Sequence, residues 1–187
     1  MADQNSKEKI IQKAVEIFSS KGYHGASMRD IAGAAECSLP TLYYHYTSKN
    51  DLFEEIVLHE FRRIRERQQL KYRFDLAPEK SCTMVIKQMK ALNPYEKAVF
   101  KMVMKVLLGL EGSAAVREKL LEWERERVAD NRKILDPYLA DAAIREDFAA
   151  LCVRVTENMM EKIILLEEEL PDHVIERQLS LLFRIVK

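Results

Sequence analysis

The chain has 187 residues, 48% of them hydrophobic and 32% charged, enough to bury one large helical core or two small ones. Its 30 basic and 30 acidic side chains cancel, which counts against a protein coated in positive charge, so any nucleic-acid partner must be met by a local patch. Three scattered cysteines make neither a disulfide framework nor a CxxC pair, and four histidines share no ligand spacing, so neither metal nor cofactor is expected.

A polar start and the lack of any apolar run near ~20 residues predict a cytoplasmic protein. Only five glycines and five prolines interrupt a chain rich in Glu, Lys, Arg, Leu and Ala, which favours helix throughout. Ser6 is expected to cap a first helix. Ile10, Ala14 and Phe18 follow at i, i+4, i+8 with Ile11 and Val15 beside them, and Gly22 is the natural stop. Ser27-Met28-Arg29-Asp30 has the spacing of a capping box and opens a short helix to about Ala35. Ser38 caps a third short helix that tolerates Pro40 in its first turn.

Thr47 or Ser48 caps a fourth helix carrying Leu52, Phe53, Ile56, Val57 and Phe61, expected to run to about Tyr72. Asp75-Leu76-Ala77-Pro78 reads as a break. Helices are predicted at about 79–92, 94–111, 114–135, 142–169 and 172–186, with Asn93-Pro94-Tyr95-Glu96 supplying cap, proline and acid for the second of these. Nothing alternates with period two, so no sheet is expected. The reading is an all-α protein. A three-helix unit with a helix-turn-helix occupies residues 1–50, and a long helix joins it to a larger helical body over 51–187.

The segment from Ser38 to Lys49 gathers three tyrosines, a histidine and a lysine without one acid. At 100° per residue, Leu42 and Tyr46 lie about 40° apart, with Leu39 near them, and form the buried stripe. Pro40, Tyr44 and Thr47 then point outward, flanked by Thr41 and Tyr43. Rings and hydroxyls on a free helix suit a major groove, where thymine methyls and base edges are accessible. Tyr43, His45 and Lys49 are placed for phosphates, and Ser27 and Arg29 at the start of the second helix for the opposing backbone. A tyrosine-rich helix of this kind also occurs as plain core, and pattern alone leaves both readings open.

Phe18 to Lys49 resembles the DNA-binding domain of the tetracycline-repressor (TetR) family. Ser27-Met28-Arg29-Asp30-Ile31-Ala32, then Ser38, Thr41-Leu42-Tyr43-Tyr44-His45-Tyr46 and Ser48-Lys49-Asn50-Asp51-Leu52 carry the likeness in order. It covers roughly the first 55 residues; the body shows no family motif. The resemblance implies a homodimeric bacterial transcription regulator, usually a repressor, whose third helix reads a palindromic operator and is released when an inducer binds the body. It makes Thr41, Tyr43, Tyr44, His45 and Lys49 the main DNA residues, with Ser27 and Arg29 assisting. Leu39 and Pro40 stand where the family often has polar or small residues, and they bear on operator choice. Glu36 stands where the turn usually has glycine; a left-handed conformation there costs about 1–2 kcal/mol.

In the body, the stretch Ala98 to Leu108 is apolar on most sides and belongs inside a bundle. Six of the eight methionines fall in the body, and methionine lines adaptable apolar sites. Met89, Phe100, Met104, Trp123, Cys152 and Met159 are the expected lining of a pocket for a hydrophobic inducer, against the alternative of methionine as core filler. Phe148, Leu151, Val155 and Ile163, with Leu179, Leu182 and Phe183 after Pro171, are the expected dimer stripes, against the alternative that they pack within their own subunit. No nucleophile motif, phosphate loop or catalytic carboxylate pair is visible, so no enzyme is expected. The rival reading is a helical ligand carrier or interaction module that keeps the helix-turn-helix as scaffold. Its support is the near balance of residues 1–50, with Lys7, Lys9, Lys13, Lys21, Arg29 and Lys49 against Asp3, Glu8, Glu16, Asp30 and Glu36.

Overall fold

The structure is a computed structural model that describes residues 2–68, 73 and 75–184, with the side chains of 2–4, 127, 130 and 131 outside the description. Every regular element among the described residues is helical, as the absence of period-two alternation predicts. The helices are α1 (Ala2–Gly25), α2 (Met28–Ala34), α3 (Leu39–His45), α4 (Lys49–Glu54), α5 (Phe61–Arg67), α6 (Pro78–Lys90), α7 (Pro94–Leu107), α8 (Ala114–Leu135), α9 (Ala142–Ile164) and α10 (Asp172–Arg184). A π-helical stretch, Glu55–Glu60, joins α4 to α5, so the expected fourth helix is one rod with a widened middle. Its expected end at Tyr72, and that of the last helix at 186, lie outside the described residues.

The caps explain most of the boundaries. Ser27 and Asp30 complete a reciprocal capping box, and Asn93 with Glu96 completes another, so two otherwise orphaned backbone N–H groups are satisfied at each start. Ser38 and Ser48 each accept the backbone N–H three residues on. Ser6 does not cap α1, which already begins at Ala2; the serine lies inside the helix. Gly22, at φ 70°, breaks the helical path within α1 where the stop was expected. The helices expected to reach 111 and 169 end earlier, at Leu107 and Ile164, on carbonyls bonded by Leu108 and Leu165.

Two compact units emerge. One comprises Met1–Ile64 with Asn93–Leu120, the other Arg65–Leu92 with Leu121–Lys187. In the first, α7 packs along α1, and α2 bridges α1 and α3. Phe18, Ile31, Leu42, Leu52 and Phe53 fill its centre, with the Phe18 and Phe53 rings edge to face at 5.3 Å. Gly112, at φ 80°, comes down on this core: a Cβ there would sit 3.1 Å from Val106 and 3.2 Å from Phe53. In the second unit, α6 packs on α9 and α10. Lys87 reaches Asp172 and Glu176, and Lys90 pairs with Asp172, pinning α6 to the start of α10. Among the described residues no helix is long and apolar enough to cross a membrane.

Candidate nucleic-acid interface

The link between α2 and α3 is built by hydrogen bonds at the end of α2. Glu36 donates its N–H to Gly33 O at 3.2 Å, and Cys37 donates to Ala32 O at 3.0 Å. Together they make a Schellman ending, with Glu36 at φ 54° in the left-handed position that glycine usually takes. The expected strain is therefore present. An ion pair from Lys9 to the Glu36 carboxylate accompanies it and holds that carboxyl below its ordinary range.

From this turn α3 starts with Ser38, whose Oγ accepts from Thr41 N–H, while the two hydroxyls lie 2.7 Å apart. Leu42 is fully buried and Tyr46, at the helix end, is 3% exposed, so the helix is fastened along the stripe that the 100° spacing predicts. Leu39 lies half-buried beside it. The opposite face is open: Tyr44 is 79% and Tyr43 47% exposed, Pro40 is exposed, and Thr41 and His45 are partly so. The Tyr44 and His45 rings meet edge to face at 5.2 Å. Holding α3 costs one polar group. The Tyr46 hydroxyl is buried without a hydrogen-bond partner among the described residues, and burial raises its pKa.

Ser27 and Arg29 are exposed at the start of α2. Asp30 is held below the usual carboxylate range by the Ser27 hydroxyl and by Lys21, 3.0 Å away. The near balance of charge in residues 1–50 resolves into pairs. Lys9 meets Glu36, Lys13 meets Glu16, Lys21 meets Asp30, and Lys7 lies 3.9 Å from Glu55. Among the described residues of 1–50, Arg29 is the one cationic side chain without a partner. Spacing alone did not reveal this, because three of the four pairings join α1 to a different segment of the chain.

Lys49 is the residue whose setting differs most from a phosphate-facing lysine. Its ammonium donates to Tyr23 O at 2.8 Å and Ala26 O at 3.0 Å, and lies 4.6 Å from the centre of the Tyr23 ring. The start of α4 is already furnished with anionic and hydroxyl acceptors, since Asp51 takes the Thr47 N–H at 2.8 Å and Ser48 caps Asp51 N–H at 3.0 Å.

The six residues expected to line a pocket divide between the two units. Phe100 and Met104 belong to the first, Met89, Trp123, Cys152 and Met159 to the second. Met89, Phe100, Cys152 and Met159 are buried, and Met104 and Trp123 partly so. Burial raises the Cys82 thiol to about 12 and pushes Cys152 up as well, so both are inert as nucleophiles. An open groove of about 930 Å³ runs between α6 and α10, lined by residues including Lys80, Met84, Gln88, His173 and Arg177; none of the six lines it. Of the expected dimer residues, Phe148, Ile163, Leu179, Leu182 and Phe183 are buried within the single chain, and the Phe148 and Phe183 rings pack edge to face at 5.3 Å. Leu151 is exposed and Val155 half-buried, and Ile144 on α9 and Leu181 on α10 are exposed as well.

Residues 10–56 match the family model described as bacterial regulatory proteins, tetR family. The biofilm operon icaADBC HTH-type negative transcriptional regulator IcaR of Staphylococcus aureus (strain Newman) is 43% identical over 51 residues, 27% of either chain. Its Staphylococcus epidermidis counterpart is 39% identical over 51 residues, 27% of this chain and 28% of that one. The chain thus matches only about a quarter of the length of these curated relatives. In fold the likeness extends further. A TetR-like transcriptional regulator from Rhodococcus sp. RHA1 superposes with TM-score 0.74 at 21% identity, over 96% of this chain and 94% of that one. A transcriptional regulator from Aquifex aeolicus VF5 gives 0.72 at 21% identity, over 97% and 99%. The match to the tetR family of bacterial regulatory proteins thus lies in the helix-turn-helix segment, residues 10–56, and the rest of the chain shares the fold of the TetR-like structures.

Proposed function

We propose that the chain is a sequence-specific DNA-binding transcriptional regulator that represses from a palindromic operator as a homodimer and is released by a small hydrophobic inducer. The observation that carries this is the open face of α3, where Tyr44 is 79% exposed on a helix fastened from behind by Leu42 and Tyr46. In a monomer with no partner, such rings cost solvation and do nothing; in a major groove they meet base edges and methyl groups. Pro40, Thr41, Tyr43 and Tyr44 are the reading residues, with Leu39 setting how deep the first turn enters. His45, Ser27 and Arg29 face phosphates, while Lys49, at the start of α4, is turned inward onto the Tyr23 and Ala26 carbonyls. IcaR is a negative regulator by name, which favours repression here.

The functional division is a reading domain over 1–50 and a ligand-binding and dimerisation domain over 51–187. A second copy provides the second reading helix, and the two must sit ~34–36 Å apart to enter successive turns of one groove face. The exposed apolar side chains Ile144 and Leu151 on α9 and Leu181 on α10 favour these helices as the paired face. Inducer acts by population shift. It binds one body arrangement better, and in that arrangement the two reading helices no longer match the operator spacing.

The pairing of Lys9, Lys13 and Lys21 within the domain favours a second reading, the ligand carrier that keeps the helix-turn-helix as scaffold. One experiment decides. Duplexes are selected from a random pool by the purified protein, and their binding is measured across a salt series. A regulator enriches a palindrome and loses affinity steeply as salt rises. Retention of no duplex in dilute buffer removes the proposal in favour of the carrier.

A further inference from the structure

We infer that Lys49 is a positioning residue: it sets the turn between α1 and α2, and so the phosphate-facing Ser27 and Arg29, and is not itself a phosphate ligand. The inference rests on the DNA-binding reading for its function but on intramolecular geometry for its content.

Lys49 is the first residue of α4, and its side chain reaches back to the segment where Gly22 has broken the path of α1. There it donates to Tyr23 O at 2.8 Å and Ala26 O at 3.0 Å. A helix end leaves carbonyls without intrahelical donors, and a lysine ammonium supplies them. The Tyr23 ring, 4.6 Å away, closes the third side of the charge. That ring is itself held, 4.8 Å from Phe53 and 6.1 Å from Phe18. Ala26 immediately precedes Ser27, the N-cap of α2. The ammonium therefore joins three chain segments: the end of α1, the residue before the N-cap of α2, and the start of α4.

An ammonium has three N–H groups, and two are given to carbonyls. Turning it outward to a phosphate would leave those carbonyls without this donor and withdraw the charge from the ring. Arg29 is different: it is exposed and has no partner to give up among the described residues. The geometry assigns the electrostatic contact to Arg29 and the alignment of its helix to Lys49.

The test uses the full-length protein, a palindromic duplex taken from the random-pool selection, and the variants Lys49→Met and Tyr23→Leu. Tyr23→Leu keeps every charge. Amide hydrogen exchange is followed on the DNA-free proteins. The expected result is exchange about tenfold faster in the Tyr23–Arg29 turn of Lys49→Met, with α10 unchanged. Both variants should bind the duplex about tenfold more weakly, with the slope of log K against log salt unaltered. A slope reduced by about 0.9 in Lys49→Met, with full affinity in Tyr23→Leu, makes Lys49 a phosphate ligand and overturns the inference. Unchanged exchange in the turn overturns it too, whatever happens to DNA. A wild-type protein that retains no duplex defeats the DNA-binding reading instead, and the exchange result still decides whether the clamp exists.

Discussion

At the scale of single residues, the open face of α3 separates two kinds of work. Tyr44, at 79% exposure, meets the His45 ring edge to face but fills no core, so Tyr44→Ala is expected to change stability little. It should also relax sequence preference by about 1–3 kcal/mol of discrimination, read by comparing selected and scrambled duplexes. Equal loss on every duplex would argue against base reading by this ring. Arg29, without a partner among the described residues, should behave oppositely. Arg29→Ala is expected to weaken binding to all duplexes alike and to lower the salt slope by about 0.9. An unchanged slope would remove it from the phosphate contacts. The alternation of face along α3 was legible in the sequence because helical spacing sorts Leu42 and Tyr46 from Tyr44. The freedom of Arg29 and the inward turn of Lys49 were not, because each depends on groups from 20 or so residues away brought near by folding.

At the scale of elements, the helix-turn-helix carries a strained turn and a capped start. Glu36 occupies a left-handed position at φ 54° that costs a side chain about 1–2 kcal/mol. Glu36→Gly relieves that cost, offset in part by the loss of the Lys9 pair, so a gain of about 1 kcal/mol is expected in denaturant unfolding. No gain would mean that the pair outweighs the strain. The start of α2 has a pH signature. The Ser27 hydroxyl and Lys21 lower the pKa of Asp30, so this carboxylate stabilises the folded state above its unfolded pKa of about 4. That contribution fades as pH falls through the lower folded value. Thermal unfolding should therefore show a loss of stability on acidification that is smaller in Asp30→Asn; equal acid sensitivity in both proteins would count against the capping box as its source. Both features had sequence signals, namely the Ser27 to Asp30 spacing and the absence of glycine at 36. The π-helical stretch at Glu55–Glu60 had none, since apolar periodicity there reads as ordinary helix.

At the scale of the whole molecule, the proposal needs two copies. Ile144 and Leu151 on α9 and Leu181 on α10 are apolar and exposed, at 54%, 42% and 54%. Leu151→Arg is expected to shift sedimentation toward monomer at micromolar concentration, since one charge in the centre of an apolar interface costs several kcal/mol, and operator affinity should fall with it. A Leu151→Arg dimer as stable as wild type would move the interface elsewhere. By itself the sequence determined the all-α class, the caps from Ser27 onward, most helix boundaries and the buried side of α3. These follow from neighbours within one or two turns, whose spacing is written in the chain. Only the tertiary structure decided which apolar stripes are spent inside the subunit, as at Phe148 and Phe183, and which stay open, as at Leu151. It alone decided which lysines are neutralised. The reason is that burial and ion pairing depend on which helices meet, and a stripe at helical spacing looks the same whether it faces its own core or a second copy.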